Sequence, residues 1–260
     1  AGAIAASKIH VPVVHIEAGL RSFNKSMPEE INRILADHVS TLLFSPTKTG
    51  YNNLLNEGFE DTEKSGRKKF EKDHPGIFHC GDVMYDNTLF FAELAEKKSK
   101  ILEQNNLSAG NFVLVTIHRD SNTDNPERLT SILESLNEIS EEQNVEMILP
   151  LHPRTLKMLG NTEYSAINNL LKKNSKIKII PPASFFDMIV LEKNSKLVIT
   201  DSGGVQKEAY FFKKPSIILR PQTEWKEIVE NGCAIIADAD KEKIKSAYNF
   251  LDRKSTRLNS

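Results

Sequence analysis

The sequence predicts an α/β protein whose parallel sheets are covered by helices on both faces. Short apolar runs alternate with longer amphipathic segments along most of the chain. The clearest buried strand covers residues 112–118, and the clearest amphipathic helix covers residues 126–143, where apolar side chains recur at helical spacing. Regular alternation of strands and helices is typical of parallel sheets with helical crossovers.

A weakly patterned stretch around residues 81–111 divides the chain into two predicted units. We place the first domain at residues 1–83, the second at residues 84–251, and a polar tail that does not belong to the fold at residues 252–260. The first domain shows only three candidate strands, so we expect its beginning to be missing from this chain. These strands cover residues 11–16, which read as buried, residues 41–45 and residues 77–80.

The charge balance argues against a polyanionic partner. The chain has 260 residues, with 34 basic and 35 acidic side chains and a formal net charge of −1. Such a balance favours neither nucleic acid nor an anionic membrane, and no apolar run is long enough to span a bilayer. Cys80 and Cys233 fit no zinc or redox motif, and two isolated thiols are typical of a reducing compartment such as the cytoplasm.

The strongest local signal for a binding site is Thr200-Asp-Ser-Gly-Gly-Val-Gln-Lys-Glu208. A buried strand ends at Thr200, and Ser202, Gly203 and Gly204 then lead into a helix. Backbone N–H groups at a helix N-terminus favour a phosphate, and the Ser202 hydroxyl can add a donor. Glu208, one turn into the helix, could accept hydrogen bonds from ribose hydroxyls. An ordinary capped strand-to-helix turn explains the same pattern equally well.

Two histidines follow predicted strands. His118 ends the strand at residues 112–118 and precedes Arg119, and His152 occurs in Leu149-Pro-Leu-His-Pro-Arg154. Ligands of open parallel sheets bind outside the carboxyl ends of the strands, so both histidines fall where a ligand is expected. Alone, either could be an ordinary surface residue. Together with the neighbouring arginines they favour a shared anion site.

Three carboxylates near the start of the chain are candidates for proton transfer. Glu17 follows the first predicted strand, and Gly19 allows a sharp turn there. Glu29 and Glu30 open the next helix, where acidic residues commonly do no more than complement the helix dipole. A carboxylate in a partly desolvated cleft can act as an acid or a base, and Glu17 fits that role best.

Other chemistries lack their motifs in this sequence. It contains no GxGxxG, P-loop, GxSxG or metal-ligand pattern. We therefore expect no nicotinamide cofactor and no metal, and we disfavour a dehydrogenase, an NTPase and a serine hydrolase.

Several ordered motifs resemble the non-hydrolysing UDP-N-acetylglucosamine 2-epimerase family. The similarity extends over residues 1–240 and is closest to the branch that acts on UDP-2,3-diacetamido-2,3-dideoxyglucuronate. The motifs are His15-Ile-Glu-Ala-Gly-Leu-Arg21, Met27-Pro-Glu-Glu-Ile-Asn-Arg33, Val115-Thr-Ile-His-Arg119, Leu149-Pro-Leu-His-Pro-Arg154 and Thr200-Asp-Ser-Gly-Gly-Val-Gln-Lys-Glu-Ala209.

The resemblance implies two Rossmann-like domains arranged as in GT-B glycosyltransferases, with the N-terminal domain truncated and the active site between the domains. It implies elimination of UDP to a glycal and re-addition on the other face. It also implies a UDP-sugar substrate, a homodimer and no cofactor. The implied catalytic residues are Glu17, Glu29 and His118; the implied UDP-binding residues are Ser202, Gly203, Gly204, Glu208, Met188, Arg119 and His152.

The sequence departs from the family pattern at several points. Met188 stands where the family has an aromatic residue facing uracil, and Trp225 follows Thr223-Glu224 where many members have arginine. The family's opening phosphate-binding strand and the segment with a catalytic aspartate are absent. These departures leave a hydrolysing epimerase, a glycosyltransferase and a non-catalytic UDP-sugar-binding module as alternatives.

Overall fold

The computed structural model describes residues 1–161 and 164–258, apart from some side chains at residues 153–154 and 254–258. The chain divides into two compact units, Ala1–Asp86 and Asn87–Ser260. Each unit has its own sheet, and every strand pair in both sheets is parallel. The predicted fold class is therefore confirmed.

The first unit is a three-stranded sheet in the order β1-β2-β3 with four helices. Its small core is formed by Leu43, Leu54 and Ile77, with Ala18 and Tyr51 beside them. The strands are β1 (Val14–Ile16), β2 (Leu42–Ser45) and β3 (Gly76–His79), and the helices are α1 (Gly2–Lys8), α2 (Pro28–His38), α3 (Lys48–Asn56) and α4 (Thr62–Ser65).

Local sequence explains where these helices begin. Pro28 is the first residue of α2, where its missing N–H group costs no hydrogen bond. Thr47 caps α3, because its hydroxyl oxygen accepts a hydrogen bond from the Gly50 N–H at 3.0 Å. Helix α2 agrees with the prediction that Glu29 and Glu30 open a helix.

Strand β1 is shorter and more exposed than predicted. The sequence suggested a buried strand over residues 11–16, but only Val14–Ile16 forms one. Pro12 cannot donate to a strand ladder, so regular pairing begins after it. Among the described residues β1 pairs only with β2, which leaves Val14 53% and Ile16 58% exposed. The burial predicted for β1 is therefore not observed in this chain, where β1 has a neighbouring strand on one side.

The second unit is a six-stranded parallel sheet in the order β6-β5-β4-β7-β8-β9. Its strands are β4 (Phe112–Thr116), β5 (Glu146–Pro150), β6 (Ile177–Ile180), β7 (Leu197–Thr200), β8 (Ser216–Ile218) and β9 (Ala234–Ile236). Its helices are α5 (Val83–Lys98), which begins in the first unit, α6 (Ile101–Gln104), α7 (Asp120–Thr123), α8 (Pro126–Glu142), α9 (Pro153–Leu159), α10 (Ser165–Lys173), α11 (Phe185–Asn194), α12 (Gly203–Phe211), α13 (Lys226–Glu230) and α14 (Lys241–Leu258).

Helices cover both faces of this sheet, as the sequence predicted. One apolar cluster joins the sheet to α8, α10 and α14, and the other joins it to α5, α11 and α12. All five residues of β4 are buried, which agrees with its continuous apolar run. Every helix in the described part of the chain is too short or too polar to cross a membrane.

The strand order locates the ligand-binding edge of this sheet. The chain runs outward from β4 to β5 and β6, then returns to place β7 on the other side of β4. This reversal makes the carboxyl ends of β4 and β7 the topological switch point, where open parallel sheets bind ligands. The segments after these two strands contain His118 and Ser202.

Helix α14 had no counterpart in the sequence prediction. Its buried residues Ile244, Ala247, Tyr248 and Leu251 recur at helical spacing, and α14 packs against α8. The helix continues to Leu258 without a break, so the backbone does not mark the tail predicted at residues 252–260; residues 259 and 260 lie outside the described part.

A glycine contact in the first unit gives a test of its packing. Gly19 has φ of +80°, and a Cβ atom there would lie 2.1 Å from the Gly50 carbonyl oxygen. We expect Gly19→Ala to lower the free energy of unfolding by about 3 kcal/mol or more, from backbone strain plus a clash with main chain. Urea unfolding of the purified chain measures this.

Gly58→Ala is the matched control. Gly58 has φ of +94° but nothing within 4 Å of the added Cβ, so only backbone strain of about 1–2 kcal/mol is expected. Equal destabilisation by both substitutions would show that the contact with Gly50 is unimportant.

Candidate functional site

The buried carboxylate of Asp201 organises the switch point of the second sheet. It follows β7 and is completely buried. Both of its oxygens lie 3.1 Å from the backbone nitrogen of His118, and one also accepts from the backbone N–H of Arg119 at 3.0 Å. The Asn122 side-chain amide donates to the same carboxylate at 3.1 Å. Asp201 thus holds the segment after β4 against the end of β7.

The imidazole of His118 is both anchored and accessible. Its Nδ1 lies 2.9 Å from Asp201 Oδ1, while 54% of the side chain is exposed. Burial alone would raise the pKa of Asp201, but the hydrogen bond and charge of His118 and the surrounding donors lower it overall. An ionised Asp201 favours a proton on Nδ1 and leaves Nε2 to face a ligand.

Adjacent hydroxyl groups fix the ends of the same two strands. The Thr116 and Thr200 hydroxyl oxygens lie 2.6 Å apart, and the Ser202 N–H donates to Thr200 at 2.9 Å. The first contact joins β4 to the end of β7, and the second joins the segment after β7 to the same threonine. The position of Ser202 is therefore set by the sheet and not only by its own turn.

The turn at residues 202–204 opens α12 as predicted. Ser202 is the N-cap, and its hydroxyl oxygen accepts from the Val205 N–H at 3.4 Å. Gly203 and Gly204 supply the first helical N–H groups, which have no partner within a helix. The structure thus contains the ordinary cap that the sequence allowed, at a position where the turn can also receive a phosphate.

Three residues not assigned from the sequence support this turn. A Cβ atom on Gly203 would lie 2.4 Å from Glu224 Oε1, so the turn packs directly on that side chain. Arg220 donates to Glu224 at 2.9 Å, and the Trp225 indole N–H donates to the Gly203 carbonyl at 2.9 Å. Trp225, noted from the sequence as a departure from the family pattern, therefore has a structural function here.

Arg220 places a positive charge behind the same turn. It is only 3% exposed, and within the described part of the chain its Nη1 has no hydrogen-bond partner. The Cβ position of Gly203 lies 3.6 Å from this atom. The sequence signal was weak, since an arginine after the apolar run of β8 carries no distinctive motif.

Glu208 lies on α12, one turn beyond the glycines, and is partly exposed. Its carboxyl is in hydrogen-bond contact with Glu192 on α11, which is 1% exposed. Met188 lies one turn before Glu192 on α11 and packs, like Val205 of α12, against the apolar cluster on this face of the sheet. The predicted uracil and ribose positions thus lie on α11 and α12, two helices that pack against each other.

His152 follows β5, the neighbour of β4, and is exposed. It and His118 therefore stand at the carboxyl ends of adjacent strands, as the sequence predicted. The side chain of Arg154 lies outside the described part of the chain.

Glu17 has an unusual backbone conformation. It directly follows β1, is partly exposed, and has φ of +67°, which is uncommon for a glutamate. The loop after it is held by Asp37, which accepts from the Gly19 N–H at 3.1 Å and pairs with Arg21 at 2.7 Å. Strained residues on firmly anchored loops are found preferentially at functional sites.

Glu29 and Glu30 differ sharply despite being adjacent. Glu29 is exposed in the first turn of α2. Glu30 is buried and accepts hydrogen bonds from the Ser22 N–H at 3.0 Å, the Phe23 N–H at 2.8 Å and Arg33 at 2.8 Å. Burial raises the pKa of Glu30, but these donors lower it overall, so Glu30 is an ionised anchor of the loop.

The predicted residues fall into two groups. His118, Arg119, His152, Met188, Ser202, Gly203, Gly204 and Glu208 belong to the second unit, while Glu17 and Glu29 belong to the first. Asp201 was missed as a site residue, although an aspartate after a buried strand within a recognisable motif was a usable signal.

Known proteins are similar to this chain in sequence and fold. A family model described as UDP-N-acetylglucosamine 2-epimerase matches residues 1–260. The chain is 48% identical over 255 residues to UDP-2,3-diacetamido-2,3-dideoxy-D-glucuronate 2-epimerase of Pseudomonas aeruginosa, covering 97% of this chain and 64% of that protein. It is 46% identical over 245 residues to a UDP-N-acetylglucosamine 2-epimerase homolog of Methanococcus maripaludis, covering 94% and 63%.

Among solved structures, the chain is similar to the crystal structure of Methanocaldococcus jannaschii UDP-GlcNAc 2-epimerase in complex with UDP-GlcNAc and UDP. The TM-score is 0.82 at 43% identity, covering 96% of this chain and 65% of that one. The chain thus spans slightly less than two thirds of the length of these three proteins. The similarity extends through both units and confirms the resemblance seen in the motifs. The chain belongs to the UDP-N-acetylglucosamine 2-epimerase family.

Proposed function

We propose that this chain acts as a UDP-sugar 2-epimerase, which inverts C2 of a UDP-linked 2-acetamido sugar. The observation that carries the proposal is the exposed imidazole of His118, anchored on buried Asp201 at the sheet edge that also carries the turn at residues 202–204. This arrangement suits an anionic leaving group. Family membership supports the reaction class.

The chemistry needs proton transfer and a stabilised leaving group. A base removes the C2 proton while the C1–O bond to UDP breaks, which forms a glycal and free UDP. Delivery of a proton to the opposite face of C2, with re-addition of UDP at C1, completes the inversion. We assign the proton transfers to Glu17 and Glu29, and the hydrogen bond to the departing diphosphate to His118. The cycle is redox-neutral, so we propose no nicotinamide cofactor.

UDP binding is assigned to the second unit. Ser202, Gly203 and Gly204 would receive the diphosphate through backbone N–H groups and a hydroxyl. Glu208 would accept hydrogen bonds from the ribose, and Met188 would face the uracil. Arg119 and His152 would supply further polar contacts to UDP.

The substrate and biological setting are further proposals. UDP-N-acetylglucosamine is our first choice, and the 48% identity to the Pseudomonas aeruginosa relative favours UDP-2,3-diacetamido-2,3-dideoxyglucuronate as the second. We propose a cytoplasmic homodimer that supplies precursors for surface polysaccharides. A UDP-sugar-binding chain without turnover is the alternative if catalysis fails.

Incubation with UDP-N-acetylglucosamine in deuterated water tests the reaction directly. We expect NMR to show deuterium at C2 and a UDP-N-acetylmannosamine product, since the removed proton is replaced from solvent. The assay uses this chain and the chain extended by the N-terminal segment that the resemblance predicts. Free sugar would indicate a hydrolysing enzyme. No exchange with either UDP-sugar would refute the epimerase and leave the binding protein or a transferase.

The role of Glu17 is tested by Glu17→Gln in the extended chain. We expect epimerisation to fall by about a hundredfold or more, because the amide cannot transfer the proton. The affinity for UDP should not change, because the proposed UDP site lies on other residues. Glu63→Gln on exposed helix α4 is the matched control. Full activity of the Glu17 variant would remove this residue from the mechanism.

The diphosphate assignment is tested by Gly203→Val. A branched side chain would crowd the phosphate and press on Glu224, so we expect UDP to bind about tenfold more weakly or worse, the equivalent of one charge-assisted hydrogen bond. Titration calorimetry measures the affinity. Tyr210→Val, at an exposed position on α12, controls for the effect of a branched residue in the helix. Unaltered affinity of the Gly203 variant would contradict the assignment.

A further inference from the structure

A buried pair of carboxyl groups lies behind the proposed ribose site. Glu192 on α11 is 1% exposed, and its carboxyl is in hydrogen-bond contact with that of Glu208 on α12. Two carboxylates in such contact cannot both stay ionised, because like charges repel and burial disfavours charge. Burial raises the pKa of both carboxyls, which favours a proton held by the pair.

The surroundings decide which of the two keeps this proton. Burial raises the pKa of Glu192 well above its usual range, and the charge of Glu208 and the hydrogen bond to it raise it further. Burial also raises the pKa of Glu208, but the charge of Lys207 and the hydrogen bond with Glu192 act in the opposite direction. Glu192 is therefore the acid of the pair and Glu208 the carboxylate.

An independent observation agrees with a neutral Glu192. Its Oε2 is buried and has no hydrogen-bond partner among the described residues. An unpartnered oxygen of a buried carboxylate would cost much more free energy than one of an uncharged carboxylic acid. A protonated Glu192 needs only one good partner, and Glu208 provides it.

The other charged groups on the helices around Glu192 contact other residues or are exposed. Helix α11 packs against α6 and α12. Helix α6 carries Glu103, which is exposed, and on α12 Lys207 lies over the Trp225 ring. On α11 itself, Lys193 pairs with Glu96 at 2.8 Å, and Asp187 binds Ser184 and Ser99. Glu208 is thus the charged group that acts directly on Glu192.

We propose that Glu192 is a positioning residue for nucleotide binding. Its buried carboxyl retains a proton and donates a hydrogen bond to Glu208, which fixes the Glu208 carboxylate as an acceptor for the ribose hydroxyls. This inference rests on the proposed function, since it needs Glu208 to contact ribose. Glu192 itself would not touch the ligand.

Two substitutions separate donation from packing. Glu192→Gln keeps the shape and a hydrogen-bond donor, whereas Glu192→Leu keeps a similar volume and loses the donor. Calorimetry on the 260-residue chain compares UDP with 2′,3′-dideoxy-UDP, which lacks both ribose hydroxyls. We expect Glu192→Gln to bind UDP as the wild type does. We expect Glu192→Leu to lose about tenfold in UDP affinity and little in dideoxy-UDP affinity.

A pH profile supplies a readout that a purely structural residue would not move. Wild-type UDP affinity should fall as the pH rises through the ionisation of Glu192, because a second negative charge repels the Glu208 carboxylate. Glu192→Gln cannot ionise and should not show this alkaline loss. Since this comparison needs only the conservative variant, it remains decisive if Glu192→Leu fails to fold.

The outcomes distinguish this inference from the function on which it rests. If the wild type binds UDP and dideoxy-UDP equally and Glu208→Gln has no effect on binding, the ribose assignment is overturned. The proposal for Glu192 is then overturned with it. In a second outcome, the wild type prefers UDP, Glu208→Gln removes that preference and Glu192→Leu leaves it intact. This result overturns only the role of Glu192. An alkaline loss of the same size in wild type and Glu192→Gln does so as well.

Discussion

The buried carboxylate of Asp201 is the constraint on which the candidate site depends. A charge removed from water costs several kcal/mol unless donors replace the lost hydration. Here the N–H groups of His118 and Arg119, the Asn122 amide and the His118 ring replace it. The segment after β4 cannot move away without leaving that charge unpaired. The position of the accessible imidazole is therefore fixed by the electrostatics of a residue that solvent does not reach.

The first unit also contains two buried carboxylates that hold a loop in place. Asp37 holds the loop after β1 through Gly19 and Arg21, and Glu30 holds its continuation through Ser22 and Phe23. Both carboxylates are buried. Glu17 lies at the start of this loop in a left-handed conformation that costs energy, and the anchors after it limit how far the chain can relax. In both units, buried acids position the exposed groups to which we assign chemistry.

The region around α12 shows how a departure from a family pattern is accommodated. Trp225 is the residue identified from the sequence as a departure from the family pattern, and its indole N–H donates to the Gly203 carbonyl. Arg220 and Glu224 pack on the other side of Gly203. The turn is thus held by a combination of side chains, so exchanging one of them changes its support without removing the turn.

The sequence alone determined the fold class, most helices and strands, and the positions of the candidate residues at strand ends. These follow from local periodicity and from motifs that are contiguous in the chain, such as the strand, glycine turn and helix at residues 197–211. Helix α14 was equally readable, because Ile244, Ala247, Tyr248 and Leu251 recur at helical spacing. The motif resemblance assigned the catalytic role to Glu29 and not to Glu30. Glu30 is buried in the structure and serves as an anchor of the loop.

Only the tertiary structure decided which polar groups meet. Asp201 and His118 are 83 residues apart, and Glu192 contacts Glu208 across two helices. Neither pairing leaves a periodic signal, because each depends on strand order and helix packing. The exposure of β1 was likewise invisible in its apolar run, since the same residues suit a central or an edge strand. Periodicity records which face of an element is apolar, whereas ionisation and hydrogen bonding depend on what packs against that face.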